Sequence, residues 1–458
     1  MQGHEASIEA FVAKKERLDL SLQIDAGKIS LQKNTISNRF RYSKNNSVAA
    51  TGISLSDFDQ ILSIDPTSRT LEVEGLATYE SIVDATLPYG FLPTVSPELK
   101  HITVGGATVG IGIESTCFRH GFVHDGLLQA EVLLPDRSIV TCTADNAHSD
   151  LFHALPNSYG TLGYILRARI RLIPATPYVQ LLITHFSDAS AFLDAMKAAT
   201  ESEEEDFIEG LFFSHDSFYL MTAHFVDTVP YIDDILRTDI FYKLAQEKDK
   251  IYLTTKDYIF RYDPEWFWNI PDGALYSAFR KYAPKRFRNS SFYTKYSQVK
   301  EASFKNLLRR DRTKKTEPLI QDWQVPWPEG KALLDFALQE VDLGSRPWAA
   351  VPIRTPSSPT LYPIKSDVLY FNLGCYTQVH RRPDKEDFYS TKILDRKCFE
   401  LGGIKMLYSS TFLSKEEFNG IYNGEEYARL KGKYDPKQKA YGLYDKAVGL
   451  SSRSHPEA

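Results

Sequence analysis

A glycine-rich stretch from Thr103 to Ser115 contains the residues best suited to bind a ligand through the main chain. Its sequence is TVGGATVGIGIES, and its glycines are Gly105, Gly106, Gly110 and Gly112. Because glycine has no Cβ, such a backbone can approach a diphosphate or a flat ring without a clash. The spacing matches neither GxGxxG nor the phosphate loop GxxxxGK(S/T). A backbone cradle of another kind is therefore predicted, with a tight structural turn as the alternative.

The composition of the 458-residue chain restricts the classes of partner. With 43% hydrophobic and 25% charged residues, it fits an ordinary globular protein of two or three domains. The formal net charge of -5 lacks the basic excess that binding to phosphate backbones requires, so we expect no nucleic-acid partner. The cysteines form no CxxC or Cys/His pattern, so we expect reduced thiols and no metal site. They are Cys117, Cys142, Cys375 and Cys398.

No apolar run approaches the roughly 18 residues that span a bilayer, and the N-terminal stretch Ile8 to Ala13 is interrupted by Glu9. We therefore expect a cytoplasmic protein that contacts a membrane at most peripherally. Residues 280–315 contain 13 Lys or Arg residues and two acidic ones, interleaved with aromatics. This segment predicts either a solvated helical face or a surface for a membrane or an anionic partner. The oligomeric state stays open.

Short β-type runs separated by turn residues surround the glycine-rich stretch. The predicted strands are Lys28 to Gln32, Ile61 to Ile64, Leu71 to Gly75, Leu128 to Leu134, Ser138 to Cys142 and Tyr164 to Ile173, with a helix from Thr78 to Leu87. This pattern predicts an α+β domain over residues 1–175. A change of pattern after Pro177 predicts a second domain over 176–404, and residues 405–458 form a closing segment.

Several sequence blocks occur in the order of a known family. They are PELKHITVGGATVGIGIES from residue 97, SDLFHALPNSYGTLGYILRARIRLIPATPYV from 149, FIEGLFFS from 207 and KMLYSSTFLSKEEFNGIYNGEEYARLKGKYDP from 405. Together they resemble the FAD-binding proteins of the vanillyl-alcohol oxidase and p-cresol methylhydroxylase (PCMH) type, most of all the Δ24-sterol reductases. The resemblance covers about residues 60–449. It implies a two-domain α+β fold, in which an antiparallel-sheet substrate domain covers FAD and the closing segment returns to the FAD domain.

The resemblance also implies which residues contact the cofactor. Thr103 to Ser115 would wrap the FAD diphosphate and flank the isoalloxazine, and Gly160 to Gly163 would pack on the adenosine or ribityl side, or form a plain turn. The implied residues are Pro97, Thr103, Val104, Gly105, Gly106, Gly110, Gly112, Ile113, Glu114, Ser115, His120, Gly121, Gly160, Thr161, Gly163 and Ile165. For Glu114 and His120, local hydrogen bonding is the alternative.

One segment departs from the family. Relatives usually carry a glycine-rich diphosphate loop where this chain reads Asn34 to Phe40, so only Ser37, Asn38 and backbone amides could serve the diphosphate there. A simple loop is an equal alternative. Because the segment contains no histidine, the covalent histidyl-flavin bond of some relatives is not expected, and we expect FAD to be bound non-covalently.

Four residues are candidates for the redox chemistry. Lys433 in GKYDP resembles the lysine that approaches the flavin in decaprenylphosphoryl-ribose oxidase, where a cation offsets the charge of the reduced ring. Asp322 in QDWQVP matches a strand on the substrate face of the flavin in relatives, and strand alternation turns Asp322 and Gln324 away from Trp323. Tyr408 and Tyr376 could donate the proton that accompanies hydride addition.

The leading function implied is reduction of a C=C bond in a lipid- or sterol-like substrate, or its reverse, by hydride transfer through the flavin with NADPH as external reductant. The alternative is FAD-dependent oxidation of a carbinol in a sugar, polyol or lipid-linked sugar. A third hypothesis is a flavin-free binding or scaffold protein that has kept the fold.

Overall fold

The computed structural model describes residues 2–21, 29–32, 51–236, 240–265, 278–279, 282–293, 316–343, 346–382 and 384–449. The strands are β1 (Ile29–Gln32), β2 (Thr51–Ser54), β3 (Ile61–Asp65), β4 (Thr70–Glu74), β5 (Phe91–Pro93), β6 (Leu127–Leu133), β7 (Ile139–Cys142), β8 (Tyr164–Pro174), β9 (Tyr178–Phe186), β10 (Phe207–Ser214), β11 (Ser217–Val226), β12 (Lys250–Thr254), β13 (Thr316–Pro326), β14 (Trp348–Arg354), β15 (Leu369–His380) and β16 (Ile404–Lys405).

The helices of the described residues are α1 (Gln2–Ser21), α2 (Tyr79–Thr86), α3 (Val104–Gly110), α4 (Cys117–His120), α5 (Ser149–Ala154), α6 (Ala189–Ser202), α7 (Phe241–Glu247), α8 (Thr255–Ile259), α9 (Gly330–Glu340), α10 (Tyr389–Glu400), α11 (Lys415–Ile421) and α12 (Gly424–Tyr434). The six strands and the helix predicted for the first domain coincide with observed elements to within one or two residues.

The first domain is built on a six-stranded sheet in the order β3-β4-β8-β6-β7, with β5 paired to β8. All of these pairings are antiparallel, and β1 and β2 form a separate parallel pair. β8 pairs with three strands, β4, β5 and β6. Its apolar residues alternate with Arg167, Arg169 and Arg171, which places one row of side chains in the core. Close packing at its start depends on Gly75, where a Cβ would lie 1.9 Å from the Ile165 carbonyl oxygen.

The second domain is built on an eight-stranded antiparallel sheet in the order β12-β9-β11-β10-β14-β15-β13-β16. One face of this sheet is covered by helices α6, α9 and α10, whose Phe192, Leu333 and Leu394 share a buried cluster with Trp323 and Leu373. The residues in between point to the opposite face, which packs against the first domain. That opposite face is where a ligand between the domains would lie.

The two domains are joined by direct contacts. The Ile208 amide on β10 donates to the Ser115 carbonyl at 2.9 Å. The Lys100 amide donates to Asp263 Oδ1 at 3.0 Å, and Asn157 Nδ2 donates to a carbonyl of the second domain at 2.7 Å. The glycine-rich segment therefore lies at the boundary between the domains.

Within the residues that the structure describes, the chain crosses between the domains at two places. The first crossing is the short link between β8 and β9, which is flanked by Pro174 and Pro177. After β16, the helices α11 and α12 return to the first domain, where Lys431 Nζ donates to the Thr161 carbonyl at 2.7 Å. The boundaries at 175 and 404 stay predictions, but both fall next to these crossings.

In the part of the chain that the structure describes, no helix is both long and apolar enough to cross a membrane. All four cysteines are buried and form no disulfide. Most of the basic segment 280–315 lies outside the described residues, and the hypothesis of a peripheral membrane contact there stays a prediction.

Candidate active site

The inner faces of β13 and β15 bring polar side chains together beneath the first domain. Asp322 pairs with Gly374 and Gln324 pairs with Asn372 across the two strands, so all four residues share one face. Trp323 points the other way, and its indole nitrogen donates to Asp395 on α10 at 2.8 Å. The strand alternation predicted from the sequence is thus observed.

Asp322 is the centre of this polar group. Its Oδ1 accepts a hydrogen bond from Asn372 Nδ2 at 2.8 Å, and its Oδ2 accepts one from the Tyr408 hydroxyl at 2.7 Å. Gly374 leaves the room that the carboxylate needs, since a Cβ there would lie 2.6 Å from Oδ1. Burial raises the pKa of Asp322, although both hydrogen bonds oppose that shift.

Tyr408 and Tyr376 form a stacked pair beside this carboxylate. Their ring planes differ by 8°, with centroids 6.2 Å apart. Burial, reinforced by the charge of Asp322, raises the pKa of Tyr408 well above its ordinary value, so the phenol keeps its proton at any physiological pH. The structure therefore brings together the three residues that the sequence proposed for proton transfer.

Two further residues extend the network and were not singled out from the sequence. The Tyr362 hydroxyl donates to Gln324 Oε1, and Gln324 Nε2 donates to Asn372 Oδ1. A chain of hydrogen bonds thus runs from Tyr362 to Asp322. Asn372 and Tyr362 gave no local signal, because only the register between β13 and β15 and the course of a loop place them here.

The glycine-rich stretch differs from the cradle that the sequence suggests. Val104–Gly110 is a helix, and the Thr103 side chain caps it by accepting from the Gly106 amide at 3.3 Å. The Gly105 amide donates to the Gly75 carbonyl at 2.9 Å, and a Cβ on Gly105 would lie 2.8 Å from that oxygen. The expectation of uncovered N–H groups is therefore wrong at Gly105 and Gly106, because the protein itself uses both amides.

Gly106, Gly110 and Gly112 differ in what surrounds them. Gly112 serves packing, since its amide donates to the Ala107 carbonyl at 3.1 Å and a Cβ would lie 2.5 Å from Val123. Gly106 is exposed, and a Cβ on Gly110 would meet nothing closer than an ordinary contact at 3.7 Å. Without a side chain at either position, where a Cβ on Gly106 would lie 2.9 Å from Thr103 Oγ1, these two glycines leave an open strip of helix surface against which a flat group could lie.

The other residues predicted at the cofactor lie close to this helix or around the turn before β8. Pro97, Thr103, Val104, Glu114, Ser115, Gly121, Gly160, Thr161, Gly163 and Ile165 are buried, and Ile113 and His120 are half-buried. Gly121 and Gly160 adopt positive φ angles of 70° and 74°, which explains why glycine occupies these turns. Burial, reinforced by Arg119, lowers the pKa of His120 to about 4, so His120 is neutral near pH 7.

Buried polar atoms at the boundary test whether FAD fits this site. Among the described residues, several such atoms have no hydrogen-bond partner in the protein. They are Ser96 Oγ, Asn157 Oδ1, Ser158 Oγ, Gln321 Oε1, Thr411 Oγ1 and both ring nitrogens of His124. They come from both domains, and leaving them unsatisfied costs free energy. A ligand rich in donors and acceptors, as FAD is, fits these atoms together with the open strip of α3.

Comparison with known proteins agrees with this geometry. A family model described as an FAD binding domain matches residues 30–143. The chain is 28% identical over 404 residues to a Delta(24)-sterol reductase of Macaca fascicularis, covering 84% of this chain and 75% of that protein. It is 33% identical over 183 residues to the Delta(24)-sterol reductase of Pisum sativum, covering 38% and 32%. Cytokinin dehydrogenase 9 of Oryza sativa subsp. japonica is 31% identical over 144 residues, covering 31% and 27%.

This chain is an FAD-dependent oxidoreductase. Its fold is α+β, with a PCMH-type FAD-binding domain and an antiparallel sheet facing it, so the predicted fold class is confirmed. The resemblance to the Δ24-sterol reductases extends over most of the chain, as the sequence blocks indicated.

Two of the predicted cofactor residues of this flavoprotein, Ser37 and Asn38, lie outside the described residues, and their role stays a prediction. Lys433 is described, and the structure does not bring it to the Asp322 group. Its ammonium binds Asp150 on α5 at 2.8 Å, and its side chain is 43% exposed. A partly hydrated cation that is already paired is poorly placed to stabilise charge on a buried ring.

Proposed function

We propose that this oxidoreductase reduces an isolated C=C bond in a lipid-like substrate, of which a Δ24-unsaturated sterol is the leading example, or forms that bond in reverse. The observation that carries the proposal is the buried Tyr408–Asp322 pair, which lies at the sheet face that packs against the FAD-binding domain. The similarity to proteins named Delta(24)-sterol reductase supports the substrate class. A double bond without a neighbouring polar group needs both a hydride and a proton donor, and the pair offers the second.

FAD would be held non-covalently along the open strip of Gly106 and Gly110, with the unpartnered oxygens of Asn157, Ser158 and Thr411 as hydrogen-bonding groups. When bound, FAD supplies hydride transfer, with NADPH as the proposed source of electrons. The protein supplies everything else: position, exclusion of water and a proton held at a defined atom.

The proton is held at Tyr408 Oη. In the proposed step, the Tyr408 O–H turns from Asp322 Oδ2 toward the substrate, the O–H bond breaks, and the proton adds to one carbon of the substrate while the other carbon receives hydride. Asp322 fixes the phenol by accepting its hydrogen bond, and Asn372 in turn fixes Asp322. Gln324 fixes Asn372 by donating a hydrogen bond to it, and Tyr362 fixes Gln324 in the same way. The phenol is therefore oriented before the substrate binds.

The same residues support one competing function. The Asp322 carboxylate could accept the proton of a substrate hydroxyl, which would suit oxidation of a carbinol in a sugar, polyol or lipid-linked sugar. The two reactions differ in the electron donor: NADPH for the reductase and the alcohol itself for the oxidase.

Anaerobic spectroscopy of the purified holoprotein separates these proposals. The yellow flavin absorbance should bleach with NADPH, return on addition of a Δ24-unsaturated sterol, and yield the product saturated at that bond. Bleaching by polyols but not by NADPH would favour the carbinol oxidase. Protein that folds with added FAD and retains none would favour the scaffold hypothesis and overturn both.

A further inference from the structure

A buried lysine lies on the face of the second sheet that points away from Asp322. Lys405 on β16 has a side chain that is 0% exposed. It pairs with Trp323 across β13, and paired residues share a face, so its side chain lies on the side where α10 packs. Its ammonium binds Asp395 Oδ2 on α10 at 2.8 Å, and Asp395 Oδ1 accepts from the Trp323 indole at 2.8 Å. The chemistry proposed above gives this cation no role.

The same ammonium holds a main-chain group close to the proton donor. Residues 406–411, here called the Tyr408 segment, follow β16 directly and are all buried. A buried carbonyl in such a segment needs a hydrogen-bond donor from the protein. Lys405 Nζ is such a donor, because it donates to the Ser410 carbonyl at 2.9 Å. The side chain of Lys405 therefore fixes the far end of the Tyr408 segment.

The near end of the Tyr408 segment is fixed to β13. The Met406 amide donates to the Asp322 carbonyl at 3.3 Å, and the Met406 carbonyl accepts from Gln321 Nε2 at 2.8 Å. Tyr408 lies between this anchor and the one at Ser410. Its hydroxyl reaches Asp322 Oδ2 at 2.7 Å from a main chain that is held on both sides.

The pair of Lys405 and Asp395 needs a reason other than stability. Removing two charges from water costs about as much free energy as their attraction returns, and apolar residues of similar volume often stabilise a core as well or better. An apolar side chain at position 405, however, could not donate to the Ser410 carbonyl. The contacts of Lys405 thus point to the order of the Tyr408 segment as the purpose of this buried charge.

We propose that Lys405 is a positioning residue for the protonation of the substrate. Its ammonium fixes the end of the Tyr408 segment, and the main chain from Met406 to Ser410 then holds the Tyr408 hydroxyl at Asp322 until the substrate binds. Lys405 acts through the main chain, because its ammonium and the Tyr408 hydroxyl lie on opposite faces of the sheet. This role rests on the proposed function, in which Tyr408 donates the proton.

The test needs a variant that removes the ammonium without leaving a lone buried charge. Lys405→Met alone would strand the Asp395 carboxylate, which is strongly destabilising. The double variant Lys405→Met, Asp395→Asn avoids this, because asparagine keeps an acceptor for the Trp323 indole and methionine keeps a long, unbranched side chain. Lys14→Met, Glu74→Gln is the matched control, since it neutralises another mostly buried pair, whose side chains are 12% and 0% exposed.

Hydrogen exchange of the FAD-bound protein tests the positioning without turnover. By mass spectrometry, peptides that contain residues 406–411 should exchange at least about tenfold faster in Lys405→Met, Asp395→Asn than in wild type, because the segment has lost one of its two anchors. Peptides from β13 should change less than about twofold, and the control variant should leave residues 406–411 as in wild type. Unchanged exchange of these residues in Lys405→Met, Asp395→Asn would overturn the proposal.

Double-mutant kinetics test whether the effect passes through Tyr408. With a Δ24-unsaturated sterol and saturating NADPH, Lys405→Met, Asp395→Asn should lower turnover by about tenfold to a hundredfold, as a misplaced reacting group does. KM for the sterol and the rate of flavin reduction by NADPH should each change less than about twofold. In a Tyr408→Phe background the same two substitutions should lower turnover by less than about twofold, because the proton donor is already absent.

The outcomes separate the two proposals. Wild-type turnover of Lys405→Met, Asp395→Asn, or a further tenfold loss in the Tyr408→Phe background, would remove the positioning role and leave the proposed function in place. A wild-type protein that does not reduce the sterol would remove the proposed function, whereas hydrogen exchange still decides whether Lys405 fixes the Tyr408 segment.

Discussion

The Tyr408 hydroxyl donates a hydrogen bond of 2.7 Å to Oδ2 of Asp322, and both side chains are almost completely buried. The two residues are 86 positions apart in the chain. They meet because β16 pairs with β13 and carries the segment after Lys405 across the end of the sheet. The buried Asp322 carboxylate holds the neutral Tyr408 phenol in a defined orientation, as a proton donor requires.

Replacing Tyr408 by Phe should lower the rate of sterol reduction by about 10²–10⁴, because the ring is kept and only the transferable proton is lost. Stopped-flow measurement should show that NADPH still reduces the flavin at nearly the wild-type rate. Tyr89→Phe, at an exposed tyrosine, is the matched control. Equal loss in both half-reactions would place Tyr408 in cofactor binding instead.

Two glycines of α3 should respond oppositely to alanine. Gly105→Ala puts a Cβ 2.8 Å from the Gly75 carbonyl oxygen and should lower the free energy of unfolding by about 1–3 kcal/mol, as overpacking does. Gly110→Ala meets no close atom and should leave that free energy unchanged or raise it by up to about 1 kcal/mol. Chemical denaturation measures both, and FAD retention on gel filtration should fall for Gly110→Ala. Full retention of FAD by Gly110→Ala would indicate that the cofactor does not bind at this strip.

Lys433→Ala should change the rate of flavin reduction by less than about twofold, contrary to the expectation from the sequence. Its ammonium is partly hydrated and binds Asp150, so the expected loss of stability is under about 1 kcal/mol. Stopped-flow reduction by NADPH decides the matter. A tenfold slower reduction of the flavin would indicate that Lys433 does act on the flavin.

Stability should fall in acid through His120. Burial, reinforced by Arg119, lowers its pKa to about 4 from an ordinary value near 6.5, so protonation favours the unfolded chain. Its contribution is complete above pH 6.5 and is lost progressively as the pH falls toward 4, with a loss of at most about 2 kcal/mol between pH 8 and pH 5. In urea unfolding, the free energy of unfolding should differ less between pH 8 and pH 5 for His120→Gln than for wild type. The exposed His215→Gln should behave as wild type.

The first domain could be predicted from the sequence because its strands are short, alternating and bounded by turn residues. The Tyr164 to Ile173 run shows this plainly, since its arginines alternate with buried apolar residues. The helical form of Val104–Gly110 could not be predicted from the sequence, because three glycines in seven residues disfavour a helix by local propensity. Tertiary contact decides it: the Gly105 amide completes its hydrogen bond only against Gly75.

The candidate site was predictable in part for a related reason. Alternation along one strand sufficed to orient Asp322 away from Trp323. Asn372 and Tyr362 could not be found in this way, because they acquire their partners across sequence separations of 50 and 38 residues. Such partners follow from strand register and domain contact, which no local pattern encodes.

The double crossing of the chain between the domains restricts how the boundary can open. With one link beside Pro174 and Pro177 and another after β16, the second domain cannot swing freely about a single pivot. Any opening that admits a bulky substrate must change the backbone conformation of both links at once. The second domain would then rotate about the line that joins the two links. Residues far from that line travel furthest, so access is expected on the side of the boundary remote from the two links.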